Sequence, residues 1–348
     1  MQRNLILTDL MKTGHNDLYN AFINMNTIKD QHFDCCSEYY MLPGFDLDAY
    51  DRKFAIIDRS IVGQYHPSKS SEYRNDLKKR KDLLHSQGFK FILATPWESL
   101  ENIQGMDLYP PRVDEMIWCA GVSWFWFYML QKHRGKTFAF KHDDKKFNFL
   151  YLNKLNRKHR VKLFERLQSQ DTLEKSIWTR WPEKKLPKEY ELPWAQNYPT
   201  YGMDQDIYEK PYNDSWCSIV SETNDNATEI FMTEKIWKPI IAQQVFVVHG
   251  NYLYLQKLRE MGFKTFSKYF DESYDLEKDS DHRIEKLART IKNLHEAPWE
   301  DIYLQSQSMR KHNADLFFNK EKLSLEINKT LESFLEFADG SQVTSRET

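Results

Sequence analysis

Residues 216–250 constrain the fold more than any other stretch. Trp216-Cys217-Ser218-Ile219-Val220-Ser221-Glu222-Thr223 reads as a buried strand with Glu222 at its end, and it runs into a short acidic loop. Phe231-Met232-Thr233-Glu234-Lys235-Ile236-Trp237 then opens a helix, and Val245-Phe246-Val247-Val248-His249 is a second apolar strand ending at Gly250. Strand, loop, helix start and strand make a βαβ unit, which requires a right-handed crossover and parallel strands. In such a unit the carboxyl ends of the strands and the amino ends of the helices share one sheet edge, where phosphorylated ligands bind. The pattern therefore gathers Glu222, Thr233, Glu234 and Lys235 at a ligand-facing edge, with Thr233 as the expected N-cap of the helix. Pro239 lies inside that helix and predicts a short or bent segment.

The same alternation runs along the chain. Strands are expected at 4–10, 54–57, 89–94, 147–153 and 176–179, and a charged helix at 72–87 stops at Gly88. The aromatic run 116–130 is too short for a membrane span and is expected to be a buried helix. Asn156 is the expected cap of a helix in which Val161, Leu163, Phe164 and Leu167 recur at helical spacing. Further helices are expected at 251–261, 284–294, 299–318 and 321–337. Strands alternating with helices in both halves predict an α/β protein of two domains with mainly parallel sheets facing across a cleft. We place an N-terminal, acceptor-side domain at 1–140, a polar boundary at 135–146, a C-terminal domain with added helices at 147–338, and a flexible tail at 339–348.

Composition excludes several classes. The 348 residues carry 49 basic and 51 acidic side chains, a net charge of −2, so no global field draws the chain to nucleic acid or to anionic membrane. Four cysteines, two of them adjacent at Cys35-Cys36, show no metal-ligand spacing and point to a reducing compartment. The first residues lack a signal-peptide or anchor pattern, and the expected location is cytoplasmic.

Cations explain the rest of the edge. Arg160 lies in the first turn of the helix after 147–153, and Lys235 in the first turn after Thr233. A cation there opposes the helix dipole by a few tenths of a kcal/mol. One lysine–phosphate contact at about 4 Å returns about 4 kcal/mol at an effective dielectric of 20. A diphosphate between Arg160 and Lys235 therefore accounts for both, and a neighbouring carboxylate suits sugar hydroxyls. The expected ligand is a nucleotide sugar, and the expected reaction is displacement at its anomeric carbon.

Residues 147–270 also resemble the donor-binding region of the family 10 glycosyltransferases, the α-1,3-fucosyltransferases. The resemblance is carried by Ser221-Glu222-Thr223-Asn224, by Phe231-Met232-Thr233-Glu234-Lys235, by the strand ending at Gly250, and by Asn153 followed by Arg160. It implies a GT-B architecture of two Rossmann-like domains, a nucleotide-diphosphate-sugar donor with GDP-fucose as the default, and inversion at the anomeric carbon. It also implies no required metal and a glycan or glycoconjugate hydroxyl as acceptor. Arg160 and Lys235 are then expected to hold the diphosphate, and Glu234 and Glu222 the sugar or ribose hydroxyls, assisted by Asn224. Glu98, after the strand at 89–94, is the expected base, with Asp58 as a second candidate. The Asp46-Leu47-Asp48 triplet matches a metal-binding D-x-D but falls in a loop. Two alternatives stay open: a glycosyltransferase acting on nucleic-acid bases, and a non-catalytic module that binds sugar or protein on the same fold.

Overall fold

The computed structural model describes residues 145–180, 182–187, 190, 207–225, 230 and 232–338. It also describes Lys79, Ser86, Gly88, Leu130 and Arg134, and the backbones of five strands between Gln2 and Trp118; side chains of the last helix are described in part. The chain divides into two compact units, one of Met1–Tyr128 with Lys320–Thr348 and one of Met129–Asn319.

In the first unit, β1 (Gln2–Thr8), β2 (Gln31–Cys36), β3 (Arg52–Asp58), β4 (Lys90–Thr95) and β5 (Glu115–Trp118) form one sheet in the order β2-β1-β3-β4-β5. Every pair is parallel. Gly88 takes a left-handed φ of +86° two residues before β4, as a helix stop requires. Two expectations change here. Residues 116–118 of the aromatic run belong to a strand, paired with β4 from Ile92↔Glu115 to Thr95↔Trp118. A short apolar run fits a buried strand as well as a helix, and pairing decides between them. The strand β2 has too little sustained alternation of polarity to announce it.

The second unit contains β6 (Phe147–Asn153), α1 (Lys158–Ser169), β7 (Ser176–Arg180), β8 (Glu183–Lys185), α2 (Glu209–Asn213), β9 (Ser215–Ser221), α3 (Glu234–Ile241), β10 (Val245–His249) and α4 (Tyr254–Glu260). It closes with α5 (Ser280–Asn293), α6 (Trp299–Gln305) and α7 (Gln307–Phe317). The sheet order is β10-β9-β6-β7-β8, parallel except for the exposed edge strand β8. The chain enters at β6, builds outward through β7 and β8, and returns on the other side through β9 and β10. The order therefore reverses between β6 and β9, and ligands of open α/β sheets bind at the carboxyl side of such a reversal.

The strands of this sheet are largely buried, polar residues included: β9 buries Ser215, Ser218 and Ser221 along with Cys217, Ile219 and Val220. All five residues of β10 are buried. The helix α3 buries Ile236, Trp237, Ile240 and Ile241. Trp237 packs 5.4 Å from both Phe263 and Phe317, which fixes α3 from below. Burying such side chains contributes about 1.5–3 kcal/mol each. With Pro239 inside it, α3 has eight residues, short as expected.

The last helix, α8 (Lys320–Ala338), packs on β3 and β5 and groups with the first unit, so the second unit ends at Asn319 rather than 338. The division near its start falls between Tyr128 and Met129, ahead of the polar stretch 135–146. Among the described residues no helix is long and apolar enough to cross a membrane.

Candidate functional site

The carboxyl edge between β6 and β9 is built from four short segments. The first is the end of β6 and the start of α1. Arg157, not Asn156, occupies the N-cap of α1, and no side chain caps the helix. The first turn carries no acid but has Lys158, His159 and Arg160 in a row. Arg160 is 5% exposed and donates from Nε (3.2 Å) and Nη2 (2.9 Å) to the carbonyl oxygen of Glu222. The helix start after β6 is thereby tied to the loop after β9.

Glu222 is fully buried. Its Oε1 accepts from the Thr233 amide at 3.2 Å and from the Tyr254 hydroxyl at 2.7 Å, and its Oε2 accepts from Thr233 Oγ1 at 2.5 Å. The carboxylate thus braces the start of α3 instead of facing solvent. Burial pushes it above the ordinary glutamate range, against the opposing pull of Lys235, Thr233 and Tyr254.

Tyr254 reaches Glu222 because two features allow it. An added Cβ on Gly250 would lie 2.6 Å from Tyr254 Cδ2, so the ring fits only against glycine. The residue before it, Leu253, sits in the left-handed region at φ +62°. That backbone is held by the Asp275 carbonyl, and the Asp275 carboxylate caps the Leu255 and Gln256 amides at 2.8 and 3.0 Å.

Thr233 is the N-cap of α3, as the sequence predicts; its Oγ1 accepts from the Lys235 amide at 3.4 Å. Lys235 Nζ lies 2.7 Å from Glu234 Oε1, 2.9 Å from Thr233 Oγ1 and 3.5 Å from Thr223 Oγ1. Both side chains keep some solvent access, 24% for Lys235 and 17% for Glu234. Burial alone would raise the Glu234 carboxyl, but Lys235 and Lys238 hold it below the ordinary range. Burial pushes both carboxyls up and Lys235 pulls both down; burial prevails at Glu222, while Lys235 and Lys238 together prevail at Glu234. Asn224 is part-buried in the loop and makes no hydrogen bond with the described residues.

Sequence reasoning missed a second group directly beside these. His159 Nε2 donates to the Glu222 carbonyl at 3.1 Å, and its Nδ1 lies 3.3 Å from Asp225 Oδ1. The other Asp225 oxygen is 3.7 Å from His249 Nε2 and also receives the Ser280 hydroxyl. The two imidazoles meet edge to face at 5.2 Å. Burial pushes His159 down to about 4 and lowers His249 as well, with Asp225 opposing both shifts. Burial would raise Asp225, yet His249, Ser280 and His159 together hold it well below the usual carboxylate range. A histidine closing an otherwise apolar strand, as His249 closes β10, is the one sequence signal that marks this group.

The structure therefore brings Arg160, Glu222, Thr233, Glu234 and Lys235 to one edge, with Asn224 on the same loop. Glu98 and the Asp46 and Asp48 pair lie outside the described residues, and Asp58 is described in its backbone alone, as the last residue of β3. Among the described residues no group of three or more His, Cys, Asp or Glu is arranged to hold a metal ion.

No family model and no curated protein sequence matches the chain. Solved structures do. The DNA-modifying enzyme β-glucosyltransferase, determined with and without uridine diphosphoglucose, overlays with a TM-score of 0.52 at 11% identity, covering 97% of this chain and 100% of that one. A mutant of T4 phage BGT in complex with UDP-glucose gives 0.48 at 12% identity, with 97% and 100% covered. An α1,3-fucosyltransferase with GDP-fucose gives 0.45 at 10% identity, with 95% and 91% covered. At such identities the first overlay speaks to the fold: the chain has the α/β GT-B architecture of two Rossmann-like units with added C-terminal helices.

Proposed function

We propose that this chain is a glycosyltransferase that takes a sugar from a nucleotide-diphosphate donor held at the carboxyl edge of its second unit. The observation that carries it is that two basic helix starts hold the same loop where the strand order reverses, Arg160 on the Glu222 carbonyl at 2.9 Å and Lys235 3.5 Å from Thr223 Oγ1. The GT-B architecture agrees with it. GDP-fucose remains the default donor, on the strength of the Thr-Glu-Lys and Glu222 motif residues.

In this proposal the donor diphosphate lies between Arg160 and Lys235, and the sugar or ribose hydroxyls reach Glu234 and Asn224. Glu222, with both carboxylate oxygens occupied, acts by holding Thr233 and hence the position of Lys235. An acceptor hydroxyl oxygen attacks the anomeric carbon while the bond from that carbon to the diphosphate oxygen breaks. The bonding pair leaves on the diphosphate, where Arg160 and Lys235 meet the growing charge. The acceptor proton passes to a carboxylate, for which Glu98 remains our candidate. Single displacement inverts the anomeric centre, and no metal is needed where two cations already face the leaving group.

A glycan or glycoconjugate hydroxyl is the acceptor we favour. The fold shared with a DNA-modifying β-glucosyltransferase keeps nucleic-acid bases as the second acceptor class, for which binding must weaken steeply with salt. A thermal-shift panel of GDP, UDP, CDP and their sugars, with and without Mn²⁺, tests the donor. A ligand at about 100 times its dissociation constant adds about 2.7 kcal/mol to the native state. A selective rise with one nucleoside diphosphate names the base; no rise with any of them overturns the proposal.

A further inference from the structure

The carbonyl oxygen of Glu222 is the most heavily used acceptor at the site. It takes both donors of the Arg160 fork and the Nε2–H of His159. The direction in which Arg160 points is therefore set by where this carbonyl lies, and the carbonyl is held on its other side by His159. The imidazole is itself held by Asp225, three residues further along the same loop, at 3.3 Å.

We propose that His159 and Asp225, backed by His249, form a strut that fixes the loop Glu222–Asp225 and thereby aims Arg160 at the donor phosphates. They are positioning residues, and the proposal rests on the donor-site reading above. Both ends of the loop have other anchors, Glu222 on Thr233 and Tyr254 and Asp225 on Arg283 and Ser280. Between them Asn224 makes no hydrogen bond with the described residues and Thr223 has one long contact to Lys235, and the link through His159 joins the two ends.

Every element around the strut contributes to it. From α1 come His159 and Arg160; from the end of β9, the Glu222 carbonyl; from β10, His249. From α5 comes Arg283, which donates to the Asp225 carbonyl and, from Nε, to the Gly250 carbonyl at 3.1 Å. Ser280, at the start of α5, donates to the Asp225 carboxylate. Both histidines are nearly closed to solvent, with side chains 11% and 0% exposed. Each nitrogen of His159 faces an oxygen. A ring with one proton can serve the Glu222 carbonyl, and a ring with two can serve Asp225 as well.

The test compares His159→Leu with His159→Gln, whose amide can still donate to the carbonyl. GDP, UDP, CDP and the matching nucleosides are titrated by calorimetry near neutral pH. We expect His159→Leu to weaken whichever diphosphate the wild type binds by about tenfold, and the nucleoside by less than about twofold. His159→Gln should recover to within about threefold of wild type. Equal losses for nucleoside and diphosphate, or no recovery with Gln, overturn the strut.

A second measurement needs no ligand. Amide hydrogen exchange at Thr223, Asn224 and Thr233 should quicken in His159→Leu while the amides of β6 keep their wild-type rates. Unchanged loop exchange overturns the strut. If the wild type binds none of GDP, UDP and CDP, the donor-site reading fails, and the exchange result still decides whether the loop is held this way.

Discussion

The two edges of the second sheet hold buried polar groups of quite different kinds. At the amino edge, Lys145 donates to the carbonyls of Tyr212, Asn213 and Ser215 and lies 4.6 Å from the centre of the Tyr303 ring. Beside it, the Gln244 amide donates to Tyr212 O, Ser215 O and Ser215 Oγ, while its oxygen accepts from Ser218. At the carboxyl edge, Asn153 Oδ1 and His249 Nε2 are buried with no hydrogen bond. Burial of an unmatched polar atom costs about 1–3 kcal/mol. Unmatched atoms occur near the start of β6 as well, at His295 Nδ1 and Trp299 Nε1, so the difference lies in charge. Apart from Lys145, the amino edge joins strands to helices through neutral carbonyls and amides, whereas the carboxyl edge gathers Arg160, Lys235, Glu222, Glu234, His159 and Asp225.

The sharpest test of that contrast is Lys235→Ala. Losing the ammonium should lower sugar transfer at least about a hundredfold, about 2.7 kcal/mol of transition-state stabilisation, and leave the melting temperature within a few degrees. A variant keeping most of its activity in a donor-hydrolysis or transfer assay removes Lys235 from the mechanism.

The mirror-image variant, Lys145→Met, strips one donor from three carbonyls. It should cost about 2–3 kcal/mol in urea unfolding and leave nucleotide affinity unchanged. An altered affinity would show that the two edges are coupled.

Acid and alkali should separate the edges as well. Burial and Arg310 hold Lys145 down to about 7, against Asp214. The unfolded chain keeps that proton up to the ordinary value of 10.5, so between these limits it binds more protons and stability rises with pH. His159 works in the opposite window. The unfolded chain takes up its proton from 6.5 downward, while the folded chain resists to about 4, so stability falls as the medium is acidified through that range. The loss amounts to about 3 kcal/mol at most. Asp225, depressed below its ordinary 3.8, extends the loss to still lower pH. Denaturant midpoints against pH check both windows, and His159→Gln should flatten the acid one alone.

A smaller effect is expected for Gly250→Ala. The added methyl meets the Tyr254 ring and should cost about 1–3 kcal/mol through repacking. Because Tyr254 steadies Glu222 and Thr233, diphosphate affinity should fall along with stability. A loss of stability alone would limit Tyr254 to packing.

What was legible in the sequence divides along similar lines. Local rules sufficed for Thr233 as an N-cap, for the short helix around Pro239, and for Arg160 in the first turn after β6. They failed for Glu222, whose position was right but whose carboxylate turns inward, because the direction of a side chain depends on partners as distant as Tyr254. They failed also for His159, Asp225 and His249, three single residues on separate elements that no spacing rule connects. The strand Gln31–Cys36 has too little sustained alternation of polarity to mark it locally, and pairing with β1 creates it.

The grouping of α8 with the first unit has a consequence for synthesis. About 190 residues separate the last part of the amino-terminal segment from the helix that packs on β3 and β5. At about 5–20 residues per second, a ribosome needs about 10–40 s to cover that distance. The second unit can be complete while the first still waits for its closing helix, so early β-strands stay exposed to chaperones longest. A premature stop near residue 319 would then spare the later-made unit and cripple the one translated first.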